Sequence, residues 1–251
     1  MLEFLSWNAS STFFHTPAWL CSLSGAFRNM ETSYIVARDG SDIAGLMPVC
    51  RIHRAGFHIL SSLPFGTYGT PVSGDGPVVR SILERFFVMS SSWRCVSAGA
   101  NLYGIDDALS SGVEGAAEGE CRVVDIGHGF AWYRSNQMSR KKRQICNGCE
   151  KEGVDVRPLV DEGELDRFYD IYREGSSSWG GVHPYPAPLF GHLFAKRAEG
   201  VVFWGAFRGG EMLGGHIDMY FGKKAQAWQA GMPRDADGSG LAGYLVYKAV
   251  E

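Results

Sequence analysis

The chain has 251 residues and a net charge of −3. With 45% hydrophobic and 20% charged residues it can build one large core or two small ones without a disulfide framework. The charge excludes a surface devoted to gripping nucleic acid, which needs a broad basic face, and no apolar run approaches the roughly 20 residues of a membrane helix.

Thr16-Pro17 opens the first helix, with threonine as N-cap and proline at a position that loses no useful donor. Trp19, Leu20, Leu23 and Phe27 fall on one face of it. Residues 33–38 form a strand, Asp39-Gly40 is a hairpin turn, and a second strand runs from Ile43 to Ile52. A third strand spans Phe57 to Leu63 and ends in the turn-rich Pro64-Phe65-Gly66-Thr67-Tyr68-Gly69. A helix over 78–89 and strands near 93–97 and 121–126 complete the first half, with a surface loop at 110–120.

Residues 136–152 read as a basic linker helix and 154–158 as a short strand. Asp161 and Glu164 form a capping-box pattern ahead of a helix whose Leu165, Phe168, Tyr169 and Tyr172 make one apolar face. A helix over 187–198 follows. Strand 201–208 turns at Gly209-Gly210 into strand 211–221, and then come strand 225–232, a loop and a last helix. An offset of 170 residues matches Arg38 to Arg208, Gly40 to Gly210, Ile43 to Leu213 and Gly45 to Gly215, which suggests a duplicated helix–hairpin unit.

Several segments carry a resemblance. They are Phe13 to Trp19, Pro64 to Gly69, Arg140 to Gly153, Phe168 to Tyr172, Trp179-Gly180, and the hairpin around Leu213-Gly214-Gly215. Together they resemble the Fem-type (FemAB-like) peptidoglycan aminoacyltransferases and their GNAT-superfamily acetyltransferase relatives. The resemblance implies an α/β (α+β) fold of two GNAT-like mixed-sheet units with packed helices, over 1–135 and 136–251. It also implies acyl transfer to an amine, from acyl-CoA or from aminoacyl-tRNA, on a cell-envelope or polysaccharide precursor. The sequence departs from the pattern in three ways. It lacks a long helical arm, shows no clear pyrophosphate loop of the acetyl-CoA users, and stops inside the helix 241–251, so that the second unit is expected to be incomplete. The alternative is a non-catalytic ligand-binding module on a degenerate acyltransferase fold.

Amine acylation needs a proton acceptor, fixed donors for the carbonyl oxygen, and close alignment of the two substrates. His216 and Asp218 share a face of their strand, with Tyr220 beyond them and Gly214 leaving space beside them; Trp228 on the next strand flanks that surface. Two readings are open: a substrate-facing wall with His216 or Asp218 as base, or a solvated strand face. Trp179, His183 and Tyr185 lie in an aromatic, glycine-containing loop able to close on a substrate, and Tyr68 joins them as a candidate binding residue. Arg140 and Arg143 are candidates for holding phosphate, of tRNA among other sources, against the plain reading of a solvated helix face.

Cys146 and Cys149 lack the further ligands of a zinc site, so no metal is expected. There is no Gly-x-Ser-x-Gly elbow for a serine hydrolase. The other cysteines lie singly among apolar residues, which suits a reducing, cytoplasmic setting. Oligomeric state is not legible.

Overall fold

A computed structural model describes residues 1–104, 119–177, 184–233 and 240–251. The chain divides into two compact units, one of 1–118 with 220–225 and one of 119–219 with 226–251. The division falls earlier than the expected boundary after residue 135, and the tip of a later hairpin counts with the first unit.

In the first unit, helix α1 (Leu2–Trp7) precedes α2 (Pro17–Ala26). The Thr16 side chain accepts from the Trp19 N–H, and Pro17 opens the first turn, as the sequence suggests. Strands β1 (Met30–Asp39), β2 (Asp42–Arg54) and β3 (Phe57–Ser61) follow, then helix α3 (Gly76–Ser90) and strand β4 (Cys95–Gly99). The sheet order is β1-β2-β3-β4, antiparallel except for the parallel β3–β4 pair. Val79, Ile82, Leu83 and Phe86 recur at helical spacing and bury the inner face of α3 on Ile35, Met47, Val49 and Leu60. Residues 45–50 of β2 are buried without a break, as in a central strand covered on both sides.

His15 fixes the entry to α2. Its Nδ1 accepts from the Thr12 N–H at 3.1 Å, and its Nε2–H donates to the Thr70 carbonyl at 2.8 Å. Burial pushes its pKa down to about 4, so the ring is neutral in the fold.

In the second unit, α4 (Phe130–Asn136) and α5 (Arg140–Lys151) precede β5 (Asp155–Pro158), α6 (Glu162–Ser176), α7 (Ala187–Phe194), β6 (Val201–Arg208), β7 (Glu211–Phe221), β8 (Lys224–Gly231) and α8 (Leu241–Val250). The sheet order is β5-β6-β7-β8. One face of it carries α6 and α7 through Phe168, Phe190 and Phe203. The other carries α5 and α8 through Cys146, Cys149, Ala206, Leu241 and Leu245.

Four expectations change. Residues 121–126 are not a strand; Val123, Val124 and Ile126 are exposed and pair with no strand among the described residues. The linker helix expected over 136–152 starts only at Arg140, because Ser139 takes an extended conformation and caps α5 by accepting from the Lys142 N–H, and a separate helix, α4, ends at Asn136. The helix expected over 187–198 ends at Phe194 and is followed by a single 3₁₀ turn. Asp161 caps α6 by accepting from the Glu164 N–H, but Glu164 does not complete the box. Its carboxylate accepts from the Val160 N–H and the Arg157 guanidinium instead. The expected surface loop at 110–120 lies largely outside the described residues.

The hairpins β1–β2 and β6–β7 have the same local plan. Each turns through two residues, 40–41 and 209–210, and the first of these is a glycine with φ near +60°, which no Cβ resists. Each then carries a bulge at the same step, between Ala37 and Arg38 and between Ala206 and Phe207. In this register Gly40 corresponds to Gly209 and Gly45 to Gly214. The offset is therefore one residue shorter than the matching letters imply. Gly40 opens its turn, whereas Gly210 closes its own.

Candidate active site

His216 and Asp218 both lie on β7 and are buried, at 4% and 5% exposure. The solvated-face reading therefore fails. His216 Nε2 is 2.9 Å from Asp218 Oδ2. A carboxylate only accepts, so Nε2 carries the proton and donates it. That tautomer leaves a lone pair on Nδ1, which is buried with no hydrogen-bond partner among the described residues. An unmet buried polar atom costs about 1–3 kcal/mol.

Directly across the ladder from His216 is Trp204, whose Nε1 is likewise buried and unmet. One face of the sheet thus holds an unused donor and an unused acceptor at paired positions. Sequence reasoning missed Trp204. Counting outward from Gly209-Gly210 alone would put it opposite Gly215, and only the bulge seen in the structure brings it opposite His216.

The space expected beside Gly214 is filled. A Cβ there would meet Met232 Sδ at 2.9 Å, the Gly231 carbonyl oxygen at 3.0 Å and Leu241 at 3.4 Å. Gly214 permits a close approach of chain segments and opens no pocket. A Cβ on Gly215 would strike the Phe168 ring, so alternation along the strand puts His216 and Asp218 on the face away from α6.

Trp228 does not flank the pair. Its ring stacks on Tyr185 at 5.4 Å and 8° and lies 6.3 Å from Phe190, within the aromatic layer of α6 and α7. The structure brings Tyr185 and Trp228 together, on the opposite face from His216. The Tyr172 hydroxyl accepts from the Tyr185 N–H, and burial pushes that phenol up to about 12.

Arg143 turns back to donate to the carbonyls of Arg134, Ser135 and Met138 at the end of α4, where helix carbonyls lack partners. Its guanidinium is engaged in structure. Arg140 is exposed at the start of α5. Tyr68 lies in the first unit, stacked on Tyr103 at 5.0 Å and edge-on to Phe14. Trp179 and His183 lie outside the described residues. Cys146 and Cys149 are buried free thiols, pushed up first by burial. Among the described residues no cluster of His, Cys, Asp or Glu is arranged to hold a metal ion, and no helix is long and apolar enough to cross a membrane.

This architecture has solved counterparts, and they place it among Fem-like folds. The crystal structure of FemX matches with a TM-score of 0.68 at 9% identity, over 99% of this chain and 82% of that one. The C-terminal domain of a putative lysylphosphatidylglycerol synthetase from Agrobacterium fabrum matches at 0.61 and 11% identity, over 91% and 69%. L-PGS from Bacillus licheniformis matches at 0.56 and 12% identity, over 99% and 72%. Residues 134–251 match the acetyltransferase (GNAT) domain family, and the chain as a whole has a Fem-like fold. No curated protein matches the sequence.

Proposed function

We propose that the chain transfers an acyl group to an amine, with His216 as the base that activates the acceptor and Asp218 as its positioning partner. One observation carries this reading. In the common register of the two hairpins, Trp204, His216 and Asp218 correspond to Ile35, Met47 and Val49. The first unit fills these positions with apolar core under α3. A hairpin of this plan therefore needs no polar group there, and a buried histidine with an idle nitrogen has a reason other than folding. The shared turn and bulge also support reading the two hairpins as copies of one ancestral unit.

In the reaction, Nδ1 removes the proton from the acceptor ammonium, and the freed amine attacks the acyl carbonyl. The tetrahedral intermediate collapses with loss of the donor's thiolate or alkoxide, which takes up the second proton that the attacking nitrogen sheds. Asp218 holds the imidazole tautomer and offsets the charge that His216 gains. The Trp204 Nε1–H faces an oxygen of the bound substrate. Acyl-CoA suits the GNAT-type domain, and the Fem-type resemblance adds aminoacyl-tRNA as a donor. The acceptor on this reading is the amine of a cell-envelope or polysaccharide precursor, as the Fem-type resemblance implies.

The test is turnover with acetyl-CoA and with aminoacyl-tRNA across a panel of amines. His216→Gln keeps a hydrogen-bonding side chain of similar size but has no base. It is expected to lower kcat by about 10²–10⁴-fold with little change in KM. A variant turning over like the wild type would remove His216 from this role.

A further inference from the structure

One end of the first unit is both apolar and basic. It lies where β2 turns into β3 and where α3 passes into β4. Trp93 is 77% exposed, Val96 63% and Val88 62%, and Phe57 and Phe87 are also exposed. The two segments are neighbours. The His58 N–H donates to the Arg94 carbonyl at 2.9 Å, and the Phe57 and Trp93 rings meet edge-on at 6.4 Å. Such a cluster of large side chains in water is unfavourable unless something covers it.

The charge here opposes that of the whole chain. Arg54 pairs with Phe57 across the turn, the Arg94 guanidinium lies 4.8 Å over the Trp93 ring, and Arg51 stands further along β2. His58 is pushed down first by partial burial and then by Arg51, His53 and Arg94, so these cations act on one another. Glu31 meets Arg51 and His53, at 3.4 and 3.3 Å. Among the described residues no carboxylate pairs with Arg54 or Arg94.

We propose that this end of the first unit docks on an anionic membrane surface. Tryptophan and phenylalanine rings settle at the level of lipid headgroups, valines reach the acyl boundary, and arginines meet lipid phosphates. The other occupants fit less well. A second copy would set Arg54 and Arg94 against like charges, and nucleic acid offers nothing apolar to Val88 and Val96.

The experiment is sedimentation of the full chain with vesicles of phosphatidylglycerol and phosphatidylcholine in equal parts, against phosphatidylcholine alone. Binding is expected to the anionic vesicles, weaker by about tenfold or more on the neutral ones. Phe57→Ser with Trp93→Ser, and separately Arg54→Glu with Arg94→Glu, are each expected to weaken it by about tenfold or more. Thermal melts check that these exposed changes leave the fold intact. Trp7→Ser removes an equally exposed tryptophan on α1 and is expected to change nothing. Absence of vesicle binding by the wild type overturns the proposal, as does wild-type binding by both double variants. So does a self-association or tRNA binding that the same variants abolish while vesicle binding persists.

Discussion

The hairpins β1–β2 and β6–β7 share a two-residue turn and a bulge at the same step, yet their stems hold opposite chemistry. In the first unit the stem positions are Ile35, Met47 and Val49, sealed beneath α3. In the second they are Trp204, His216 and Asp218, equally buried or nearly so, with two polar atoms unmet among the described residues. Both arrangements suit the backbone, so the backbone does not decide between them. The apolar set is what stability alone would select, and on the proposed function the polar set is where stability is given up for reactivity.

The sharpest way to break this comparison is to move polarity into the first unit. Val49→Asp places a carboxylate beneath α3 with no cation to meet it. It is expected to cost more than about 4 kcal/mol in urea unfolding, a large share of a typical domain's stability. A loss below about 1 kcal/mol would show that the site is wetter than its burial implies.

The reverse exchange comes next. His216→Met with Asp218→Val gives the second unit the first unit's residues. Transfer is expected to fall by about 10²–10⁴-fold, while the melting temperature holds or rises, because apolar replacement of a buried polar pair is often neutral or stabilising. A large drop in melting temperature together with retained transfer would reverse the assignment.

How much of this was legible depended on range. Asp39-Gly40 and Gly209-Gly210 revealed both hairpins, because a tight turn is written in adjacent residues. Thr16-Pro17 marked a helix start for the same reason. The period of a strand put His216 and Asp218 on one face, but period alone does not say what covers that face. Their burial and the displacement of Trp228 into the α6–α7 layer therefore emerged only in three dimensions. The run 121–126 looked like a strand by composition, but a strand needs a partner, and composition does not record one.

A smaller test contrasts the two histidines. Among the described residues His216 has an idle nitrogen, whereas both nitrogens of His15 are occupied and the ring serves the fold. Because the folded pKa of His15 is lowered from 6.5 to about 4, the unfolded chain takes up the proton first. Its contribution is therefore complete above pH 6.5 and is lost as pH falls toward 4, by at most about 3 kcal/mol. Urea melts across that range should show the slope, and His15→Gln should flatten it. An unchanged slope in the variant would assign the acid sensitivity elsewhere.

The bulge in the second hairpin has a consequence for phase. Phe207 and Met212, on the turn side of it, line a shallow hollow with Gly163 and Arg167 of α6, whereas Gly214, beyond it, meets Leu241 of α8. Met212 and Gly214 are two apart and would share a face in a regular strand, but the extra residue sends them to opposite layers. Tip and stem are thereby uncoupled. Substitutions at Gly209 or Gly210 can reshape the loop without rotating His216 away from its layer, because its orientation is set by pairing with β6 on the far side of the kink.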